Sequence, residues 1–276
     1  SIAEEHTETL KDLAGVIAAE TELIAALPTD GVAVVYGDHE GLLEAVHRQA
    51  RCRVVTFGEH AHNHFRISEI QVARQGTRCL LHTRPGTQVL QLQLLGSHFA
   101  LAAAASLAVA TECGIALDDA CAAVSVAKGA ARRMAVVEIP ARQLPGLADC
   151  YNANPAAMLQ ALKTATKVRA PGERLRRVFG DMLELGVLSQ IRHQEIGEAV
   201  AALKPAPDWV VTVGEDAKLI AAAVAKTSIP SCWFAASKQA AAFVQEIVSN
   251  FPGPQLLLVK GSRGIRLEEV MLQVSD

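Results

Sequence analysis

Three polar segments carry the side chains best suited to ligand chemistry, and each follows a predicted β-strand. They are Asp149-Cys-Tyr-Asn-Ala-Asn-Pro155, Gly180-Asp-Met-Leu-Glu-Leu-Gly186 and Val259-Lys-Gly-Ser-Arg-Gly264. In an open α/β sheet, ligands bind outside the carboxyl ends of the strands, where helix N-termini present free N–H groups. Three such segments at one sheet edge therefore predict a single ligand site.

The first segment also fits a plain turn. Asn side chains form Asx turns, and Pro155 suits the first position of a helix. We favour the ligand interpretation because a turn needs only one Asn, whereas this segment holds Asn152 and Asn154 together with Asp149 and Tyr151.

The other two segments offer charges of opposite sign. Asp181 and Glu184 are carboxylates, which suit an ammonium group, and the flanking glycines permit tight backbone turns. Lys260, Ser262 and Arg263 provide two cations and a hydroxyl, which suit a carboxylate or a phosphate. Each segment alone is weak evidence, and their combination predicts the site.

The histidines give a weaker signal. His60-x-His62-x-His64 has imidazoles of the kind that bind zinc, but the segment reads as an exposed loop without a carboxylate or thiol at a recognisable spacing, so we predict no metal site. His98 follows Gly96-Ser97 and is expected at a helix N-terminus, whereas His193 falls inside a predicted helix and fits a surface or core histidine. Neither a G-x-x-x-x-G-K-[ST] phosphate loop nor a G-x-G-x-x-G fingerprint occurs in the 276 residues.

The elements before residue 130 predict a mixed domain over residues 1–129. Apolar spacing from Leu10 to Leu27 predicts a helix, and two short apolar runs flanking a helix predict a parallel β-α-β unit. Alternating patterns then predict a small antiparallel meander, followed by two Ala-rich helices. The expected strands are 31–37, 52–58, 65–72, 77–83 and 88–94, and the later helices are 41–51, 97–113 and 117–126.

Strand and helix patterns alternate from residue 130 to the end, which predicts a doubly wound sheet in a second domain over residues 130–276. The expected strands are 134–139, 147–151, 175–179, 209–213, 231–234 and 255–259. The expected helices are 155–167, 189–202, 217–226 and 238–249.

Composition favours a small-molecule partner. Half of the residues are hydrophobic, the net charge is −3 and the pI is about 6.3, so no strong field would attract nucleic acid or anionic lipid. No apolar run approaches the roughly 18 residues of a membrane helix. Six scattered cysteines without a C-x-x-C pair predict reduced thiols and a cytoplasmic location.

These motifs resemble the Mur ligase family, specifically its MurF type. The resemblance covers essentially the whole chain and is most specific at Tyr151-Asn-Ala-Asn-Pro155, at residues 180–186 with His193 following, and at residues 259–263. It implies an α/β fold: a partial central domain with small antiparallel strands, followed by a Rossmann-like, doubly wound C-terminal domain.

The resemblance also implies an activity. MurF-type ligases of peptidoglycan synthesis use ATP and Mg2+ to join D-alanyl-D-alanine to a UDP-MurNAc-peptide through an acyl phosphate. It assigns nucleotide binding to His98, Arg133, Asp149, Tyr151 and Asn152. It assigns substrate binding to Asn154, Asp181, Glu184, Lys260, Ser262 and Arg263.

The departures from the family concern nucleotide and metal chemistry. The N-terminal substrate domain and the phosphate loop have no counterpart in these 276 residues, and Glu20 stands where the family carries a carbamylated lysine. We therefore expect the chain to be catalytically incompetent alone, with self-association or a separate N-terminal partner as expected interactions. One alternative is a diverged, non-catalytic Mur-like binding or scaffold protein, and another is an amide ligase of related chemistry that acts on a different peptide.

Overall fold

The chain forms two compact units, Ser1–Lys128 and Gly129–Asp276. A computed structural model describes residues 12–139, 144–206, 208–251 and 253–275. Leu10, the first apolar position of the predicted N-terminal helix, lies outside these residues. Each unit contains its own sheet.

The first unit has a five-stranded mixed sheet in the order β1-β2-β3-β4-β5. β1, β2 and β3 are parallel neighbours, whereas β3, β4 and β5 form the expected antiparallel meander. The strands are β1 (Val32–Tyr36), β2 (Arg53–Gly58), β3 (Phe65–Ala73), β4 (Gly76–Thr83) and β5 (Gly86–Leu92). The helices are α1 (Leu13–Ala26), α2 (Glu40–Gln49), α3 (Ser97–Glu112) and α4 (Leu117–Ser125).

Small residues bring α3 close to this sheet. Ala100, Ala104 and Ala108 are buried against apolar side chains of the strands, including Ile67 and Leu81. Alanine has no side chain beyond Cβ, so a helix face made of it approaches the sheet closely while still removing apolar surface from water.

The second unit has a six-stranded sheet in the order β10-β9-β8-β11-β7-β6. Its strands are β6 (Ala135–Ile139), β7 (Leu144–Asp149), β8 (Arg174–Gly180), β9 (Trp209–Val213), β10 (Ser231–Phe234) and β11 (Gln255–Lys260). Its helices are α5 (Pro155–Val168), α6 (Ser189–Ala201), α7 (Ala217–Val224), α8 (Ser237–Asn250) and α9 (Glu268–Ser275), with 3-10 turns at Gly186–Leu188 and Arg263–Ile265.

The central strands of the second sheet are covered on both faces. Every residue of β9 and β11 is buried, which is typical of strands covered on both faces. Val211 and Val259 pack into one core with Val244 of α8 and Val270 of α9. The doubly wound arrangement is thus confirmed.

The second sheet differs from the sequence prediction in three details. β6 runs antiparallel to β7 as an edge strand, which strand–helix alternation alone does not predict. β7 begins at Leu144, three residues before its predicted start at residue 147. Leu144 and Pro145 pair with β6, whereas pairing with β11 starts at Gly146, so Pro145 needs no N–H group for the β11 ladder. The sequence prediction also misses α9. None of the helices in the part of the chain that the structure describes is long and apolar enough to cross a membrane.

Candidate functional site

The three polar segments meet at the carboxyl edge of the second sheet. β7, β11 and β8 are adjacent parallel strands, and Lys260 at the end of β11 lies in register with Asp149 of β7 and Phe179 of β8. The loops that follow these strands therefore emerge side by side, where open α/β sheets bind ligands.

Close contact between two strand ends requires glycine. A Cβ atom on Gly261 would lie 2.8 Å from the Cα of Gly180, and one on Gly180 would lie 3.3 Å from the Cα of Gly261. Because the first distance is below any normal contact, a side chain on Gly261 would separate the second and third segments.

Lys260 is buried and joins the third segment to the first. Its side chain is 2% exposed, and its Nζ lies 2.9 Å from Asp149 Oδ2 and donates to the Asn152 carbonyl at 3.0 Å. The second carboxylate oxygen of Asp149 accepts from the Met134 amide at 3.0 Å. The charges of Lys260 and Asp149 therefore balance each other, and their hydrogen bonds orient the first polar segment.

Ser262 bonds to both other segments. Its amide donates to the Asp181 carbonyl at 3.0 Å, and its Oγ accepts from the Leu183 amide at 2.9 Å. The same hydroxyl donates to the Ala153 carbonyl at 3.4 Å. Ser262 is 3% exposed, so its hydroxyl organises the three segments from inside the protein.

Asp181 anchors the start of α7. Its buried carboxylate accepts from the Ala217 amide at 2.6 Å and from the Glu215 amide at 3.0 Å. Burial raises the pKa of Asp181, and the hydrogen bonds from the Ala217 and Glu215 amides oppose that shift. A carboxylate at a helix N-terminus also interacts favourably with the helix dipole.

His193 is a core histidine that holds the second segment. It is fully buried on α6, and its Nε2 accepts from the Met182 amide at 2.9 Å. Its Nδ1 lies 2.7 Å from the Ser189 carbonyl, which can only accept, so Nδ1 carries the proton. The ring is therefore the neutral Nδ1–H tautomer.

A cationic and aromatic surface remains exposed above these buried groups. Tyr151 is 39% exposed, and the guanidinium carbons of Arg133 and Arg263 lie 4.1 and 5.8 Å from its ring centroid. Asn152 and Glu184 are also exposed, and Glu184 has a φ of 65°, a left-handed conformation that costs a non-glycine residue about 1 kcal/mol. A ring between two guanidinium groups suits an aromatic base and phosphate oxygens.

Cys150 lies between Asp149 and Tyr151 but faces the core. It is 1% exposed, and burial, followed by the charge of Glu268, raises the pKa of its thiol to about 11. The thiolate is the nucleophilic form of cysteine, so Cys150 is a packing residue at neutral pH.

Two further predicted site residues, Asn154 and His98, are not part of the exposed surface around Tyr151. Asn154 caps α5, because its Oδ1 accepts from the Ala157 amide at 2.8 Å. The first polar segment therefore does form the helix start that its sequence also fits. Tyr151 and Asn152 of the same segment remain exposed beside it. His98 lies in the first turn of α3, in the first unit, and is exposed with its ring 4.3 Å from that of Phe99.

Sequence reasoning missed Asp38, which lies beside the histidine loop of the first unit. Asp38 and His60 are 22 residues apart, but β1 and β2 are parallel neighbours, so the loops after them meet. The available signal was Gly37-Asp38 at the end of a predicted strand, next to the strand that leads into the histidines.

Comparison with known proteins places both units in one family. The family model described as Mur ligase middle domain matches residues 1–110, and the one described as Mur ligase, glutamate ligase domain matches residues 132–263. The UDP-N-acetylmuramoyl-tripeptide--D-alanyl-D-alanine ligase of Bacillus subtilis is 29% identical over 98% of this chain and 57% of its own length. The Escherichia coli ligase of the same name is 30% identical over 100% of this chain and 59% of its own length. The chain thus spans less than two thirds of these curated relatives.

Solved structures agree with the sequence comparison. A crystal structure of MurF from Acinetobacter baumannii superposes with a TM-score of 0.87 at 26% identity, covering 100% of this chain and 58% of that one. MurF from Thermotoga maritima in complex with ADP shares the fold, with a TM-score of 0.83 at 20% identity over 99% of this chain and 60% of its own. The chain therefore belongs to the Mur ligase family.

Proposed function

We propose that this chain provides the acceptor-binding part and part of the nucleotide-binding surface of a MurF-type, ATP-dependent amide ligase. The reaction transfers a phosphoryl group from ATP to a carboxylate of a UDP-MurNAc-peptide. The amine of D-alanyl-D-alanine then attacks the acyl phosphate, releasing phosphate and forming an amide. The relatives named above are ligases, so we do not propose the non-catalytic scaffold.

One observation carries the proposal: three separate segments are joined at a single sheet edge around Tyr151, Arg133 and Arg263. The bonds of Lys260 and Ser262 fix the backbone beneath this surface before any ligand binds. Groups held in advance in this way lose little conformational freedom on binding.

Exposure separates the roles of the predicted site residues. We propose that the exposed Arg133, Tyr151 and Asn152 contact the nucleotide, and that Glu184 and Arg263 contact the ammonium and carboxylate ends of the dipeptide. The groups already bonded within the protein act as positioning residues. These are Asp149, Asn154, Asp181, Lys260 and Ser262. His98 stays a predicted nucleotide contact of the first unit.

The side chains at this sheet edge are better suited to bind ATP than to bind a magnesium ion. Magnesium takes oxygen ligands, and the partly buried carboxylate of Asp149 and the buried carboxylate of Asp181 already accept hydrogen bonds from protein donors. We therefore assign no magnesium ligand to this edge and derive no step from one. The aromatic ring and guanidinium groups would bind the base and phosphates of ATP.

The remaining assignments are also proposals. We infer that residues 1–129 and 130–276 correspond to the family's central and C-terminal domains. We further propose a cytoplasmic location. Self-association, or binding of a separate N-terminal segment, stays a prediction.

Calorimetric titration of the purified chain with D-alanyl-D-alanine and with ATP–Mg2+ tests the proposal. We expect the dipeptide to bind and Arg263→Ala to weaken its binding, because the exposed guanidinium pairs with the dipeptide carboxylate. Arg133→Ala should weaken any nucleotide binding and leave the dipeptide affinity unchanged.

Two controls make the result specific. Arg48→Ala removes another exposed arginine, on α2 of the first unit, and should change neither affinity. L-alanyl-L-alanine tests stereochemical selection. If neither D-alanyl-D-alanine nor ATP–Mg2+ binds, the ligase interpretation of this chain is wrong.

A further inference from the structure

A group of side chains of the kinds that bind metal ions lies in the first unit, outside the sheet edge described above. Asp38, His60 and His62 each place one ligand atom within 4.8 Å of the others. Among the residues that the structure describes, this is the one group of three or more His, Cys, Asp or Glu side chains found this close together. It combines two imidazoles with one carboxylate.

The Asp38 carboxylate is held in place by protein donors. Its Oδ1 accepts from the His60 amide at 3.0 Å and from Asn63 Nδ2 at 2.6 Å, and its Oδ2 accepts from the Glu59 amide at 2.6 Å. Tyr36 is a further side-chain hydrogen-bond partner of Asp38, so a metal ion would take the place of one of these donors on the carboxylate. Bonds of this kind orient ligating carboxylates in metal proteins.

Glycine permits this arrangement. A Cβ atom on Gly58 would lie 2.3 Å from Asp38 Oδ1, and one on Gly37 would lie 1.9 Å from Asn63 Oδ1. Because glycine has no Cβ atom, Gly37 and Gly58 allow Asn63 and the Asp38 carboxylate to approach the backbone more closely than any other residue type would.

His62 is in the tautomer that a metal ligand needs. Its Nε2 lies 2.8 Å from the Gly37 carbonyl, which can only accept, so Nε2 carries the proton. The lone pair on Nδ1 is then available for a metal. Ligating histidines commonly donate their other ring N–H to a backbone carbonyl in this way.

Both histidines of the group are exposed, and His64 does not belong to it. The His60 side chain is 63% exposed, and its Nδ1 lies 3.8 Å from Asp38 Oδ1. The His64 Nδ1 instead accepts from the Thr56 amide at 3.1 Å. The three histidines of the sequence motif therefore divide into a pair beside Asp38 and one bonded to β2.

We propose that Asp38, His60 and His62 form a binding site for a divalent transition metal ion of the zinc class. Ligand atoms on one zinc, at about 2.0–2.2 Å from it, lie about 3.3–3.6 Å apart in tetrahedral geometry, so atoms that lie within 4.8 Å of one another must approach by at most about 1.5 Å. Rotation of the exposed His60 side chain provides this. Water would take the fourth position, and imidazole ligands select zinc over magnesium.

Zinc titration of the chelator-treated, untagged protein against a chromophoric competitor tests the site. We expect one zinc to bind per chain, and His60→Gln and His62→Gln each to weaken that binding about 10- to 100-fold or more. Zinc should also raise the unfolding temperature of the unmodified protein, because it binds the folded state. Both variants should lose this shift.

Matched variants exclude other zinc ligands. His47→Gln alters an exposed histidine on α2, and Cys113→Ser removes the exposed thiol; both should bind zinc as the unmodified chain does. Cobalt in place of zinc should give d–d bands without thiolate charge transfer. Unchanged affinity in the His60→Gln/His62→Gln double variant, or no stoichiometric binding by the unmodified chain, would overturn the proposal.

Discussion

At the scale of single residues, burial decides whether a charged side chain is open to solvent or is bonded within the protein. Lys260 and Arg263 stand three positions apart and look equivalent in sequence. Lys260 is 2% exposed and bonded to Asp149 and the Asn152 carbonyl, whereas Arg263 is exposed beside Tyr151. Removing Lys260 therefore leaves an unbalanced carboxylate at the sheet edge, while removing Arg263 leaves the interior unchanged.

We predict that Lys260→Met lowers the free energy of unfolding of the second unit by about 3 kcal/mol, because it strips a partly buried carboxylate of its partner. Trp209 and Trp233, the two tryptophans of the chain, both lie in this unit, so their fluorescence during urea unfolding reports it selectively. Arg263→Ala is the control and should change stability by no more than about 0.5 kcal/mol. Equal losses in the two variants would contradict the assignment.

At the scale of elements, α6 holds the second polar segment through one histidine. His193 accepts from the Met182 amide and donates to the Ser189 carbonyl, so the helix and the segment share a buried ring. This bond connects the position of α6 directly to the backbone that precedes Glu184.

We predict that His193→Leu costs the second unit about 1–3 kcal/mol, because it leaves the buried Met182 amide without an acceptor. Hydrogen exchange should become faster at the Met182 and Leu183 amides. Gln194→Leu, one position along and exposed, is the matched control and should leave those amides protected. Unchanged exchange in His193→Leu would show that the ring does not hold the segment.

The same elements explain how much the sequence predicts. The apolar, β-branched strand cores and the Ala-rich helices follow from local patterns, and the strands lie within about three residues of their expected ends. Long-range pairing does not follow from such patterns. The antiparallel β6, the approach of Asp38 to His60, and the burial of Lys260 and Asp181 all depend on which strands become neighbours.

At the scale of the whole molecule, the two units have separate hydrophobic cores. One core of the second unit joins strand residues such as Val178 and Leu257 to helix residues such as Val244 and Val274. The cores of the first unit are built from its own sheet and helices, including Val55 and Leu107 around α3 and Val46 of α2. Over the residues that the structure describes, each sheet contains strands of one unit only.

We predict that residues 129–276 fold when produced without the first unit. A domain of about 150 residues buries roughly 70% of the surface that its unfolded chain exposes, which is enough for an independent core. Trp209 is 9% exposed and packs 5.0 Å from Phe243, so the folded fragment should keep a blue-shifted emission and a cooperative urea transition. Lys260→Met should lower its stability as it does in the full chain, because both partners of that bond lie within the fragment. Red-shifted emission without a cooperative transition would show that the second unit depends on the first for its fold.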